Sequence, residues 1–471
     1  MSTGVGARIV QLVGTLILTR FIAPAQYGEV FAAAICVTTA AMVSTFCFGQ
    51  YLIAKRAPAD VAFQAAELHV GLGLVAMAVV YLARDRLGIM VDAPQMGRFV
   101  PAFALAHMID RVRYIPEKIL VRELRFRTVA IGNGVGELTF TAVALALAPH
   151  LGGGAIVAGW VARSLVVATI FIASAPRNQW LIRVPLRFGV VRALLDYGAP
   201  LMVTSVSDLA SSRWDNLIVS RLFGPAVMGG YNLAYSLAET PIAYVAEHIG
   251  DVLMPSYARM EPGQRRTAMV RAAGLMGLVV SPLGVGLGAI APTLVHTFFD
   301  VRWATMAPML AVLSVMSVFR PITWSASAFL QAQHRTRLLM VMSFARTVIL
   351  LGLVATLGYL GGPLWACAAV GIAYTVHAVI MVVITGRTES ISASAYLLDV
   401  ARPIVACAPM FIAVVLVQSL LDGAGVPGVI SVVIQVATGA AVYVPAAFLL
   451  ARPLVRDLSG LIGKVLRPNR G

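Results

Sequence analysis

Among the arginines inside apolar stretches of this chain, five are candidates for binding: Arg8, Arg20, Arg213, Arg221 and Arg320. A guanidinium stays protonated, and its planar fork donates two parallel charge-assisted hydrogen bonds, which is the chemistry that grips phosphate or carboxylate. Charge at membrane depth is costly, so each is a functional candidate by default. Acids form a second set: Asp110, Glu137, Asp196, Asp208, Asp215, Glu239 and Glu247. A carboxylate in such a place can exchange a proton or bind Na+ as access to a cavity changes, and Glu137, Asp208, Asp215 and Glu239 are the candidates for ion coupling. Asp196, at a helix start, is better placed for capping. Asp208 and Asp215 are expected to share one helix face, whereas Arg213 cannot face Asp215 and is expected to meet a carboxylate on another helix, such as Glu137 or Glu239. Each residue has a structural reading beside the functional one. Arg20 and Arg221 could snorkel to the interface or bond a helix C-terminus, Arg8 could be a basic helix flank, and the acids could form structural ion pairs.

Two of these arginines stand in copies of one pattern. The first copy runs Leu18, Thr19, Arg20, Phe21, Ile22, Ala23, Pro24, Ala25, Gln26, Tyr27, Gly28. The second, 201 residues later, runs Val219, Ser220, Arg221, Leu222, Phe223, Gly224, Pro225, Ala226, Val227, Met228, Gly229. Arg, Pro, Ala and Gly coincide without a gap, and Ala33 meets Ala234 as Gly49 meets Gly250. Copies in the same order predict two lobes related by an axis along the membrane normal, with substrate between them. The helix before the second copy starts near Leu194, after the basic stretch Arg183 to Arg192. The same offset puts its partner before residue 1, which predicts that the first helix lacks part of its first turn and its basic flank.

The elements that must position these residues are membrane spans. Only 12% of the 471 residues are charged and 59% are hydrophobic, with a mean hydropathy of +0.86, where a soluble domain carries about 25% charged residues. With about 20 apolar residues per span, about fourteen helices are expected. They lie near 3–22, 28–53, 65–83, 97–116, 128–149, 155–175, 194–221, 228–254, 270–298, 304–330, 337–358, 363–385, 402–421 and 426–450, and the segments starting at 97 and 194 are the least hydrophobic. Basic residues alternate with the connections. Lys55, Arg56, Lys118, Arg122, Arg125, Arg127, Arg183, Arg187, Arg265, Arg266, Arg335, Arg337 and the tail from Arg452 fall on one side, so N-in, C-in topology follows. The net charge of +15 would also suit nucleic acid, but the basic residues flank spans, so anionic membrane lipid is the expected partner and nucleic acid is not.

Other chemistry is thin. Cys36, Cys47, Cys367 and Cys407 lie in apolar segments and read as packing residues. His69, His248, His296 and His377 are scattered without metal-ligand spacing, and no cofactor is expected. No Walker loop, H-E-x-x-H or G-x-S-x-G occurs, which argues against ATP use or hydrolysis. On helix 4, His107, Asp110, Arg111, Arg113, Glu117 and Lys118 either line an inner entrance and meet a headgroup or form a solvated extension. Trp214, Tyr231 and Tyr235 are either sugar-stacking rings or interface anchors. Gly132 with Gly136, and Gly284 with Gly288, are expected at close helix contacts.

The helix end from Thr19 to Gly28, the stretch Arg122 to Phe126, and the series Asp215, Arg221, Gly224, Gly229, Tyr231, Ala234 carry a resemblance. The chain resembles the polysaccharide exporters and oligosaccharide flippases, in the superfamily that also holds lipid II flippases and multidrug and toxin extruders. The resemblance implies an all-α membrane fold of two six-helix lobes, 1–185 and 186–390, followed by two C-terminal helices and a basic cytoplasmic tail in 391–471. It implies a flippase, not an enzyme, in the bacterial cytoplasmic (inner) membrane. Its cargo would be a polyprenyl-diphosphate-linked oligosaccharide repeat unit for O-antigen, capsule or exopolysaccharide, with proton or Na+ coupling and a polysaccharide polymerase as partner. The diphosphate needs a cationic anchor, for which Arg8, Arg20, Arg213, Arg221 and Arg320 are the candidates. The rivals are a multidrug or organic-cation efflux antiporter, which should line its cavity with acids, a lipid II flippase, and a membrane polymerase or ligase. The last usually carries a large outer loop, and the longest here runs only from about Ala83 to about Met96.

Overall fold

The computed structural model describes residues 13–333, 335–389 and 393–466, and these are helical with no strand among them. Contacts divide the chain into a unit of Met1–Gly229 and a unit of Gly230–Gly471.

The first unit holds α1 (residues 13–21), α2 (Pro24–Val43), α3 (Phe48–Ala54), α4 (Ala59–Met90), α5 (Val100–Arg122), α6 (Phe126–Leu151), α7 (Gly153–Ser174) and α8 (Phe188–Leu209). It also holds the start of α9 (Asp215–Arg259) through Gly229. Pro24 opens α2 at a position where a missing N–H costs nothing. The hairpin of α6 and α7 closes through glycines: a β-carbon on Gly132 would lie 2.4 Å from Phe171, and one on Gly136 2.4 Å from Val167. This is the close contact expected of that pair.

The span expected over 28–53 is broken. Thr39, Ser44 and Thr45 turn their hydroxyls back onto the carbonyls of Ile35, Ala40 and Ala41, which weakens the helix there. Phe46 and Cys47 then take left-handed backbone angles (φ 44° and 45°), and α3 begins. A helix end buried in hydrocarbon leaves carbonyls without donors. Arg111 of α5, 4% exposed, supplies them. Its Nη2 donates to the Ala41 carbonyl and to Ser44 Oγ, and its Nη1 donates to the carbonyls of Ser44 (3.0 Å) and His69 (3.1 Å).

A second irregularity separates α8 from α9. Ser211 and Ser212 both donate to the Asp208 carbonyl, and residues Ala210–Trp214 form a π-helical turn. The extra residue in that turn shifts the helical register. The expected shared face of Asp208 and Asp215 is therefore lost: Asp208 is exposed and Asp215 is fully buried.

The second unit continues with α10 (Pro262–Phe298), α11 (Met306–Met316), α12 (Arg320–Ala332), α13 (Thr336–Gly361), α14 (Pro363–Glu389), α15 (Ala393–Gly423), α16 (Gly428–Leu450) and α17 (Arg452–Leu466). Gly284 and Gly288 of α10 sit against Ser314, Ser317 and Val315, as the close-contact reading expects. The last helix is amphipathic: Leu454 is buried, Val455 and Leu458 pack onto the apolar core, and Asp457 pairs with Arg271. Such a helix lies along an interface.

Ten helices among the described residues are long and apolar enough to span a membrane. The expected segments outside that set have evident reasons. Residues 3–22 lie partly outside the described residues, and 228–254 lies in α9, where some side chains do too. Residues 97–116 and 194–221 fall in α5 and α8–α9, which were already the least hydrophobic.

We predict that Arg111→Met, which strands the Ser44 carbonyl and leaves that of Ala41 only the Ser44 and Thr45 hydroxyls, destabilises the purified protein by about 2–4 kcal/mol. Arg111→Lys should recover only part of this, because an ammonium lacks the fork. Thermal denaturation in detergent checks both.

Candidate functional site

Both copies of the repeated pattern are sharp joints between helices. In the first, α1 ends at residue 21 and Pro24 opens α2. In the second, Gly224 (φ 80°, ψ 172°) interrupts the helix just before Pro225. The left-handed angle explains glycine at that position. Arg20 and Arg221 occupy the last turn before each joint and are exposed. A cation there also complements a helix C-terminus.

The two joints touch each other, reciprocally and backbone to backbone. A β-carbon on Gly28 would lie 1.9 Å from the Pro225 carbonyl oxygen. One on Gly229 would lie 2.1 Å from the Pro24 carbonyl oxygen and 3.1 Å from the Gly28 nitrogen. Neither glycine can carry a side chain while the joints are closed. Around this contact, Gln26 accepts a bond from the Gly153 amide (3.3 Å), and Trp214 donates to Thr39 Oγ1 (3.1 Å). Beside it Glu29, 6% exposed, faces the backbone amides of Gln95 and Met96. In the sequence, only its place directly after the repeated glycine marks Glu29.

The charged candidates separate into three groups. Arg8 and Glu247 lie outside the residues whose side chains are described. Arg213 is half-buried in the π turn, and the Asp215 carboxylate accepts from the Asn216 amide (2.9 Å) and side chain (3.0 Å). Glu137, Glu239, Asp110 and Asp196 pair with arginines other than Arg213. Glu137 of α6 meets Arg163 of α7 at 3.0 Å, and Arg163 also lies 5.5 Å from the Trp160 ring centre. Arg163 faces Glu137 across the hairpin that turns at Gly152–Gly153, its long side chain spanning the offset between them. On α5, Arg113 bridges Asp110 (2.6 Å) and Glu117 (2.8 Å) along one helix. Arg111, expected as a possible headgroup contact, is instead committed to backbone carbonyls.

In the second unit, Arg320 and Glu239 come together. Arg320 is 8% exposed at its side chain, against 34% for Glu239. Its Nη1 donates to Glu239 Oε1 (2.6 Å) and its Nη2 to the Tyr235 hydroxyl (3.1 Å). Its guanidinium carbon lies 4.5 Å from the Tyr374 ring centre, and Arg346 approaches the same ring at 5.9 Å. Ser317, Gly371 and Met316 complete the wall. The free space is about 10 Å3, room for roughly one water. In this conformation the cleft holds a largely buried ion pair and has no room for a diphosphate. None of the four cysteines is in a disulfide, and no cluster of metal-ligating side chains occurs among the described residues.

These features define a polytopic helical membrane protein whose internal repeat closes on itself at matching glycines. The chain belongs to the polysaccharide biosynthesis protein family, whose model matches residues 17–308. It is 23% identical over 365 residues to the lipopolysaccharide biosynthesis protein WzxC of Escherichia coli (strain K12), covering 75% of this chain and 72% of that one. It is 22% identical over 460 residues to the succinoglycan biosynthesis transport protein ExoT of Rhizobium meliloti (strain 1021), covering 94% and 90%. Among solved structures, the fold is similar to the lipid II flippase MurJ in an inward closed conformation. The TM-score is 0.78 at 12% identity, with 96% of this chain and 98% of that one covered. An inward-facing multidrug resistance MATE family transporter of the MOP superfamily is similar at a TM-score of 0.62 and 18% identity, with 82% and 95% covered.

We predict that Glu239→Ala costs about 3–5 kcal/mol, because it leaves a buried guanidinium unpaired, whereas the double variant Glu239→Leu/Arg320→Met recovers most of it. Chemical denaturation of the single and double variants measures the difference.

Proposed function

We propose that this protein is a flippase for a polyprenyl-diphosphate-linked oligosaccharide repeat unit, working in the bacterial cytoplasmic (inner) membrane during assembly of a surface polysaccharide. The names of its relatives and its family membership support the class of cargo. The observation that carries a moving transporter is the reciprocal contact of Gly28 with Pro225 and Gly229 with Pro24. Contacts between bare backbones at a repeat axis are suited to close and part as a unit, with no side chains to repack.

In this reading the lobes are 1–185 and 186–390, with 391–471 appended, both termini face the cytoplasm, and the joints form the outer seal of a cavity reached from inside. Arg8, Arg20, Arg213, Arg221 and Arg320 are its candidate anchors for the diphosphate. Of these, Arg320 would have to leave Glu239 to take it. Ion coupling, by H+ or Na+, is assigned to Glu137, Glu239, Asp208 and Asp215. Anionic lipid would meet the basic flanks and α17, and a polymerase would take the glycan on the far side.

The pairing of Glu137 with Arg163 and of Glu239 with Arg320 disfavours the organic-cation extruder, since a cationic drug would have to displace a resident guanidinium from either carboxylate. The likeness to the lipid II flippase concerns the fold.

The test is a deletion strain. Lipid-linked oligosaccharide should persist or accumulate on the cytoplasmic side while surface polysaccharide falls. Unchanged glycans with new sensitivity to cationic dyes would replace this reading with the extruder. In the complemented strain, Gly28→Val and Gly229→Val should each reduce export at least about tenfold at normal membrane abundance, because the added methyls hold the seal apart. Arg221→Ala should likewise abolish export, and normal export would remove Arg221 from the anchor set.

A further inference from the structure

The second unit holds a larger cavity, of about 510 Å3, at the end of α10, α15 and α16. It lies at the far end of α10 from the basic residue Arg271 and at the far end of α15 from Arg402. Its polar wall is made by Thr293, His296 and Thr297 of α10, Gln418 and Asp422 of α15, and Ser431 of α16. Gly428 lets α16 approach α10: a β-carbon there would lie 2.2 Å from Thr297 Oγ1. One turn beyond Ser431 on α16 lies Gln435, fully buried. Its Nε2 donates to Thr293 Oγ1 (3.0 Å) and Ser431 Oγ (2.9 Å), and its Oε1 has no hydrogen-bond partner. A buried amide is costly in a membrane helix and marks a functional place by default.

The chemistry of the wall is selective. No lysine or arginine lines it, and the Asp422 carboxylate repels anions, so a phosphate has no counter-charge there. Hydroxyls, a carboxamide, a carboxylate and an imidazole instead offer alternating donors and acceptors. That is what a polyol needs, because each of its hydroxyls both donates and accepts. The volume falls within the range of small-molecule sites.

We infer that this cavity binds an uncharged, hydroxyl-rich sugar unit of the translocated glycan. The site joins the end of α10 to α15 and α16, and none of the candidate diphosphate anchors lines it, so the chain holds separate places for the charged and the uncharged ends of its cargo. The inference rests on the flippase reading for the source of the sugar, but not for the binding itself.

The test is saturation-transfer NMR on the purified full-length protein in nanodiscs, with free glucose, galactose, mannose and maltose as probes and glycerol phosphate as the anionic control. At least one neutral sugar should receive saturation and glycerol phosphate should not. Asp422→Asn and Gln418→Ala, both near the mouth, should each weaken the signal at least about fivefold, the loss expected for one hydrogen bond to a charged or amide group. No transfer to any sugar, equal transfer in both variants, or preference for glycerol phosphate would overturn the inference. Sugar binding by a protein whose deletion leaves surface polysaccharide intact would defeat the flippase reading and leave this site standing.

Discussion

Two carbonyl oxygens, of Pro24 and Pro225, lie where a side chain on Gly229 or Gly28 would have to be. Much of the first unit follows from this steric exclusion. Glycine is required at both positions, proline is required at the start of each following helix to turn the chain sharply, and the joints must come at equal places in the two copies. The repetition is therefore a packing requirement where the two joints meet. The arginines travel with it as exposed last-turn residues.

The buried arginines obey a different constraint. A guanidinium at membrane depth must have its donors satisfied, and the chain does this in two ways. Arg111 gives them to the carbonyls of a broken helix, and Arg320 gives them to a carboxylate and a phenol. The first permits an interrupted span whose left-handed residues, Phe46 and Cys47, would otherwise end in hydrocarbon without partners. The second keeps Glu239 from being an unpaired charge. In both cases the charge that looks like a ligand site in sequence is already occupied by the protein itself.

This sets the limit of what the sequence discloses. Composition and the placement of basic residues disclose a membrane protein, and the pattern of Arg20 to Gly28 discloses the repeat and, by resemblance, the family. The glycine pairs of α6 and α10 are legible because spacing alone brings them to one face. The π turn is not, since it depends on Ser211 and Ser212 competing for one carbonyl, and it moves Asp215 off the face that simple periodicity gives it. Partners across a hairpin, such as Glu137 with Arg163, need the position of the turn as well as the residue types. The destination of Arg111 needs the break in α2, which its own span cannot reveal.

The central claim is that the joints part when cargo is carried. Spin labels on Gln26 and Val227, flanking the two glycine contacts, would report the distance across them by pulsed electron resonance. The account predicts a single short distance in the empty protein, and a second, longer population when lipid-linked oligosaccharide is added in nanodiscs. One short distance, unchanged by cargo in a preparation that translocates it, would contradict the account.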